Sequence, residues 1–262
     1  MPNKYGGDAY ITPHRIDPAK LPTIRFFART LAGPMIWLWQ MAQKGRLDDE
    51  AWVHGSLWLA DIFEKLGGRI YIEGLKNFEN SKEPVVIVAN HMSTLETFLL
   101  PGMIRPIKPV TFVVKKSLTT IPIFGPIMRS RDPVVVERKN PREDLATVLK
   151  EGTKRLASGI SIIVFPQHTR SLKFDPEQFN SIGIKLASKA GVRVVPLALK
   201  TDAWGQGKKI KELGKLRLEL PARFKFGKAV EVTGKGKNEH AAICKFIDEA
   251  VTQWQISDGI NN

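Results

Sequence analysis

The sequence has little with which to cross-link, span a membrane or present a covalent nucleophile. Its 262 residues include one cysteine, Cys244, so no intrachain disulfide can form, and a reducing compartment fits. The longest uncharged stretch near the N-terminus, Thr30 to Gln43, is interrupted by Gly33-Pro34. A spanning helix needs about 20 apolar residues, so no span is expected there. The first twenty residues, MPNKYGGDAYITPHRIDPAK, are polar and lack a signal-peptide core. No repeat, low-complexity tract or zinc-ligand spacing is present, and neither a recognition helix nor an aromatic stacking motif marks a nucleic-acid binder. Acidic residues are also scarce: 26 Asp and Glu against 40 Lys and Arg, a formal net charge of +14. Such a chain is attracted to polyanions. With nucleic acid not expected, an anionic bilayer or a phosphorylated ligand remains.

What is present is enough apolar sequence, 43% of residues, for one sizeable core. Residues 1–20 read as a loose arm, and 21–43 and 48–66 as two helices. Met35, Ile36, Trp37, Leu38 and Trp39 stand in a row between Arg29 and Lys44. That composition suits a helix lying in a membrane interface, or one packed on the protein's own core. From residue 67 onward strands and helices alternate. The expected strands are 69–73, 85–89, 111–115, 134–137, 161–165 and 192–199. A helix after Asn140 has a capping side chain, Pro141 at its first position, and Glu143 and Asp144 at its positive end. Its apolar stripe is Leu145, Val148, Leu149 and Leu156, and Gly159 stops it. Further helices are expected over 178–190 and 238–254, the last with Ala242, Phe246, Ile247, Ala250 and Trp254 inward and carrying Cys244. The fold class is therefore α/β, with a mainly parallel central sheet flanked by helices. Residues 1–66 form an arm and two-helix element, and 67–262 the α/β domain.

The strand ends carry the chemistry. VVIVA runs into Asn90-His91, TFVV into Lys115-Lys116, VVVE into Arg138, and SIIVF into PQHTRS with Gln167, His168, Thr169, Arg170 and Ser171. In open parallel sheets ligands bind at the carboxyl ends of strands. If these four strands are parallel, one rim holds two histidines, two lysines and two arginines. That is a site for an anion beside a candidate base. Glu96 follows His91 by five residues. It either favours the first turn of a helix entering at Leu95, or folds back to fix the imidazole tautomer and leave the other nitrogen free to take a proton. No serine or cysteine is placed as a nucleophile, so the base acts on a substrate hydroxyl.

These motifs resemble those of the glycerolipid acyltransferases, which include the lysophosphatidate acyltransferases. NHMSTLE is similar to the family's N-H-x-x-x-x-D, VVKKSLTTIPIFG with VVVERKN to its second region, IIVFPQHTRS to F-P-E-G-T-R-S, and VRVVPLAL to its fourth. Order and spacing agree from about residue 70 to 230. The resemblance implies a membrane-associated acyltransferase on the cytoplasmic face, peripheral or monotopic, with the N-terminal helices as docking element. His91 is then the general base and Glu96 stands for the family aspartate. Asn90, Lys115 or Lys116, Arg138, Gln167, His168 and Arg170 face the acceptor, with Thr169 and Ser171 in support, and Pro196 shapes the acyl or donor side. The implied acceptor is a lysophospholipid, and the donor an acyl-CoA or acyl carrier protein thioester. No metal or other cofactor is implied.

Two departures stand out: glutamate for aspartate at 96, and Gln167-His168 for Glu-Gly. They leave open a different, non-lysophosphatidate acceptor, or a weakly catalytic lipid-binding relative. Asp202 and Trp204 read as a turn after the fourth motif. The basic tract Lys208, Lys209, Lys211, Lys215 and Arg217 suits anionic lipid, an acidic carrier protein or an ordinary solvated loop.

Overall fold

A computed structural model describes residues 4–13, 16–79, 83–207 and 211–259, and within these eight strands form one sheet. In chain order they are β1 (Ala9–Ile11), β2 (Ile70–Glu73), β3 (Val86–Ala89), β4 (Val110–Lys115), β5 (Val134–Val136), β6 (Ser161–Val164), β7 (Val194–Lys200) and β8 (Ala222–Phe226). Their lateral order is β1-β2-β8-β7-β3-β6-β4-β5. Strands β7, β3, β6, β4 and β5 are mutually parallel. The β2–β8 pair is also parallel, but it joins β7 antiparallel, and β1 pairs β2 antiparallel. Five carboxyl ends therefore share one rim.

Every residue of β3, β6 and β7 is buried. A strand covered on both faces has no solvent side on which to place polar residues, so VIVA, SIIV and VVPLAL read as nearly continuous apolar runs. The cover comes from α1 (Pro22–Thr30), α2 (Ile36–Gln43), α3 (Asp49–Lys65), α4 (Lys76–Glu79), α5 (Leu95–Ile104), α6 (Phe124–Arg129), α7 (Pro141–Ala157), α8 (Ile182–Ala190) and α9 (Lys237–Ser257). Helix α3 packs on α5, α7 on α8, and α9 on β7. The expected start of α7 is present: Asn140 Oδ1 accepts from Arg142 N at 3.0 Å, and Pro141 occupies the first turn.

Several expectations need correction. Residues 21–43 are not one helix. Gly33 (φ −101°, ψ −106°) and Pro34, which has no N–H to donate, open a wide turn over 31–35 between α1 and α2. Of the expected loose arm over 1–20, residues 4–12 are tied down. Strand β1 extends the sheet, and Lys4 pairs with Asp61 and Glu64 while Tyr10 and Thr12 donate to Glu64 Oε1 at 2.8 and 2.6 Å. Strand β8, ARFKF, was not among the expected strands; its Arg223 and Lys225 are half-exposed while its other residues are buried. On α7, Val148 and Leu156 are buried but Leu145 and Leu149 only partly so. Helix α8 starts at Ile182, after a separate short turn at Pro176–Gln178. On α9, Ala242 is exposed, and Ile243 and Cys244 take the inward positions. Pro196 lies buried within β7, its carbonyl accepting from Gly227 N at 2.8 Å. No helix among the described residues is long and apolar enough to cross a membrane.

Candidate active site

The strands that deliver Asn90-His91, Lys115-Lys116, Arg138 and the 165–171 loop are parallel neighbours, so the four polar strand ends meet at one rim. His91 stands between the ends of β7 and β6. Its ring stacks on Phe165, with centroids 4.4 Å apart and planes 20° from parallel. Nδ1 lies 2.8 Å from Glu96 Oε1, while 19% of the side chain remains exposed. An ionised carboxylate only accepts, so this contact places the proton on Nδ1 and leaves Nε2 an acceptor.

Glu96 lies in the first turn of α5 and is fully buried. Its Oε1 also accepts from Met92 N and Ser93 N at 2.8 and 2.9 Å. Its Oε2 accepts from Ser93 N at 3.0 Å, from Ser93 Oγ at 2.9 Å and from Thr201 Oγ1. Both sequence readings of Glu96 hold together: the acid sits at a positive helix end and folds back onto the imidazole. Burial alone pushes its carboxyl up. The hydrogen bond and charge of His91, with the Thr201 hydroxyl and Ser93 amide, outweigh that and bring it below the ordinary value of 4.5.

The remaining expected site residues divide into two groups. Asn90 is buried with both polar side-chain atoms engaged by β7: Nδ2 donates to Leu199 O at 2.8 Å, and Oδ1 accepts from Leu199 N at 2.9 Å. It fixes β3 to β7 and offers no polar atom to the rim. Gln167, only 4% exposed, accepts from His91 N at 2.6 Å through Oε1. It supports the histidine backbone from beneath. A glutamate there has the same acceptor, which accounts for the exchange of one residue for the other. Arg138 takes a left-handed backbone (φ +56°), with its own amide and that of Glu137 caught by Asp144 Oδ1 at 3.3 and 3.0 Å. Its Nη1 donates to the carbonyls of Gln167 and His168 at 3.1 and 2.7 Å, clamping the loop after β6.

Arg170 reaches across the rim to Thr94 Oγ1 and pairs with Glu212 at 2.6 Å. Ser171 N donates to His91 O at 2.9 Å. Lys115 is exposed at the end of β4, and Lys116, also exposed, pairs with Glu137. His168 and Thr169, on the loop after β6, are exposed, Thr169 accepting from Lys211 at 3.4 Å. Lys208 and Lys209 lie outside the described residues. Trp204 is buried against Phe26, Phe27 and Phe98, and Asp202 pairs with Lys200, so neither stands free at the rim. Among the described residues no group of three or more His, Cys, Asp or Glu is placed to hold a metal ion.

Thr201 escaped the sequence reading. It directly follows β7, the fifth parallel strand, as other polar residues follow theirs, and that position was the available signal.

The chain is 32% identical over 147 residues to a 1-acyl-sn-glycerol-3-phosphate acyltransferase of Pseudomonas aeruginosa, an alignment covering 56% of this chain and 54% of that one. It is 35% identical over 131 residues to a chloroplastic 1-acyl-sn-glycerol-3-phosphate acyltransferase of Arabidopsis thaliana, covering 50% and 36%. The chain thus spans about half the length of the curated relatives it matches. The crystal structure of the 1-acyl-sn-glycerophosphate (LPA) acyltransferase PlsC from Thermotoga maritima shares the fold, with a TM-score of 0.67 and 20% identity over 90% of this chain and 95% of that one. The acyltransferase family's own sequence model matches residues 69–200, half of the chain and the part that holds His91, Glu96, Arg138, Gln167 and Arg170, and by that match the chain belongs to the acyltransferase family.

Proposed function

We propose that this protein moves a fatty acyl group from a thioester donor, acyl-CoA or acyl carrier protein, to the hydroxyl of a lysophospholipid such as 1-acylglycerol-3-phosphate. The observation that carries this reading is the buried Glu96 on His91 Nδ1, which leaves Nε2 ready to accept a proton at the rim. In the proposed reaction Nε2 takes the acceptor's hydroxyl proton as that oxygen attacks the thioester carbonyl. The tetrahedral intermediate then expels the thiolate, which takes the proton back from the imidazolium. The ester product and free thiol leave, and the histidine is regenerated. Glu96 stabilises the transient imidazolium without being protonated itself.

Arg170, Lys115 and His168 are the groups that hold the acceptor's anionic headgroup in this reading, with Arg138 shaping the loop that presents Arg170. The exchange of glutamate for Gln167 does not count against a phosphorylated acceptor, because Gln167 is buried beneath His91. Helices α1 and α2 rest on an anionic membrane surface, on the cytoplasmic face. Exposed Leu21, Ile24 and Leu31 alternate there with Arg25 and Arg29, an apolar and basic mixture suited to the interface.

The test is acyl transfer followed by mass spectrometry in anionic vesicles. Acyl-CoA and acyl carrier protein thioesters are offered with a panel of lysophospholipids, beside His91→Ala. A diacyl product that disappears in His91→Ala is the expected result. Transfer retained in His91→Ala refutes the mechanism, and lipid binding with no transfer from any pair favours a non-catalytic relative.

A further inference from the structure

We propose that Thr201, together with Ser93, is a positioning residue for His91, acting through Glu96. The inference rests on the proposed general-base role of His91. The two carboxylate oxygens of Glu96 divide their work. Oε1 faces the imidazole and the amides of Met92 and Ser93. Oε2 faces two hydroxyls, Ser93 Oγ from its own loop and Thr201 Oγ1 from the end of β7. The hydroxyls also touch each other, Ser93 Oγ lying 3.0 Å from Thr201 Oγ1, and Ser93 Oγ accepts from Leu95 N at 3.0 Å. Thr201 and Glu96 are both wholly buried and Ser93 nearly so. A carboxylate so enclosed has no water to satisfy Oε2, and these groups fill that need.

The cradle is matched to glutamate. The side chain is one methylene longer than the aspartate of the resembling motif. Its carboxylate reaches the imidazole with one oxygen and the end of β7 with the other. Thr201 thereby ties the base's partner to the rigid centre of the sheet, where Asn90 also fixes β3 to β7. The loop 90–94 is held from both sides, so the imidazole has one place to stand.

The hydroxyls also affect when the pair takes up a proton. While the imidazole is neutral, the carboxylate charge rests wholly on its hydrogen-bond donors. Once the imidazolium forms, part of that charge is neutralised and the donors matter less. Thr201 therefore favours the deprotonated pair, and its loss makes proton uptake easier. Of the charged groups on the surrounding elements, Lys115 is exposed at the end of β4, and several others are paired. Arg170 of the 165–171 loop lies on Thr94 and Glu212, and Arg138 on carbonyls of that loop. Lys200 and Asp202, flanking Thr201, pair with each other, and Lys200 also with Asp258. On α3, which packs on α5, Asp61 and Glu64 are held by Lys4. His168 is exposed on the loop.

The experiment compares Thr201→Val, Thr201→Ser and Glu96→Asp in the full chain. It measures kcat and KM over pH and follows the His91 imidazole by NMR titration. Thr201→Val should lower kcat roughly 10- to 100-fold, as expected of a misplaced base, with the acceptor's KM unchanged. The acid limb of kcat/KM and the NMR titration should both move to higher pH, because the unsatisfied carboxylate then favours the charged imidazole. Thr201→Ser should restore both. Glu96→Asp should lose activity, although it reinstates the motif's usual acid. Wild-type kcat and pH profile in Thr201→Val overturn the proposal, as does a defect that Thr201→Ser fails to rescue or a fully active Glu96→Asp. Transfer retained in His91→Ala sinks the underlying mechanism instead. In that case an unmoved imidazole titration in Thr201→Val still refutes the cradle on its own.

Discussion

Gln167→Met removes one hydrogen-bond acceptor and little else, which makes it a sharp test of how the rim is held. Gln167 is 4% exposed and its Oε1 accepts from His91 N at 2.6 Å. Methionine fills nearly the same volume but leaves that partly buried amide without its partner. An orphaned buried amide costs about 1–3 kcal/mol. For a chain of this size each kcal/mol lowers Tm by about 2–4 °C, so a fall of roughly 2–12 °C is expected. The same amide belongs to the proposed base. A shift of the imidazole approaching 1 Å can reduce kcat by as much as ~100-fold, with the acceptor's KM little changed. Gln167→Glu keeps the acceptor and should retain most of the activity. Thermal unfolding by circular dichroism and steady-state acyl transfer, run on all three proteins, give the answer. A Gln167→Met protein with wild-type Tm and kcat but a raised acceptor KM would refute the reasoning, and would make Gln167 a substrate ligand.

Glu96 has a folded-state carboxyl below its ordinary 4.5, so the unfolded chain binds more protons than the native one below that pH. Its contribution to stability is present above 4.5 and is lost as pH falls through the lowered value. Glu96→Gln should therefore show a shallower loss of stability in acid, measured by urea unfolding at a series of pH values from neutral downward; an identical slope would count against the hydrogen-bonded carboxylate. Lys200 is 1% exposed and holds Asp202 and Asp258, themselves 8% and 6% exposed, at 2.9 and 2.8 Å. Lys200→Met leaves Asp258 with only Arg223 at 2.7 Å and Asp202 with only Arg217 at 3.7 Å, and should cost about 1–3 kcal/mol at neutral pH. The same urea series checks this, and a loss under 1 kcal/mol would mean the pairs are much weaker than their burial implies.

Local chemistry made much of the fold legible. The central strands read as strands because burial on both faces requires apolar side chains at successive positions. The start of α7 was readable because Asn140 and Pro141 act on their own backbone. The split between α1 and α2 was foreshadowed by Gly33-Pro34, although one helix was expected. Strand β8 was missed because Arg223 and Lys225 face a half-open surface, and their placement depends on β2 and β7 rather than on neighbours in sequence. Strand β1 was missed for a related reason. Three residues pair only because β2 offers an edge, and Lys4 finds a counter-charge only because α3 is there.

The sequence by itself offered the His91–Glu96 contact as one of two readings, since a separation of five residues allows an acid in the first turn of a helix to fold back to a histidine; the structure shows the contact. The polar ends of β3, β4, β5 and β6 were equally visible, each following its own apolar run. Only the tertiary structure decided that these ends share a rim, because strand direction is set by crossovers and pairing rather than by any local pattern. It also decided which polar residues work beneath the surface. Asn90 faces Leu199, Gln167 faces the His91 amide, and Thr201, 105 residues beyond Glu96, completes its hydrogen bonds. A side chain's partner depends on what the packed chain places within about 3 Å of it, and distance along the sequence carries no record of that.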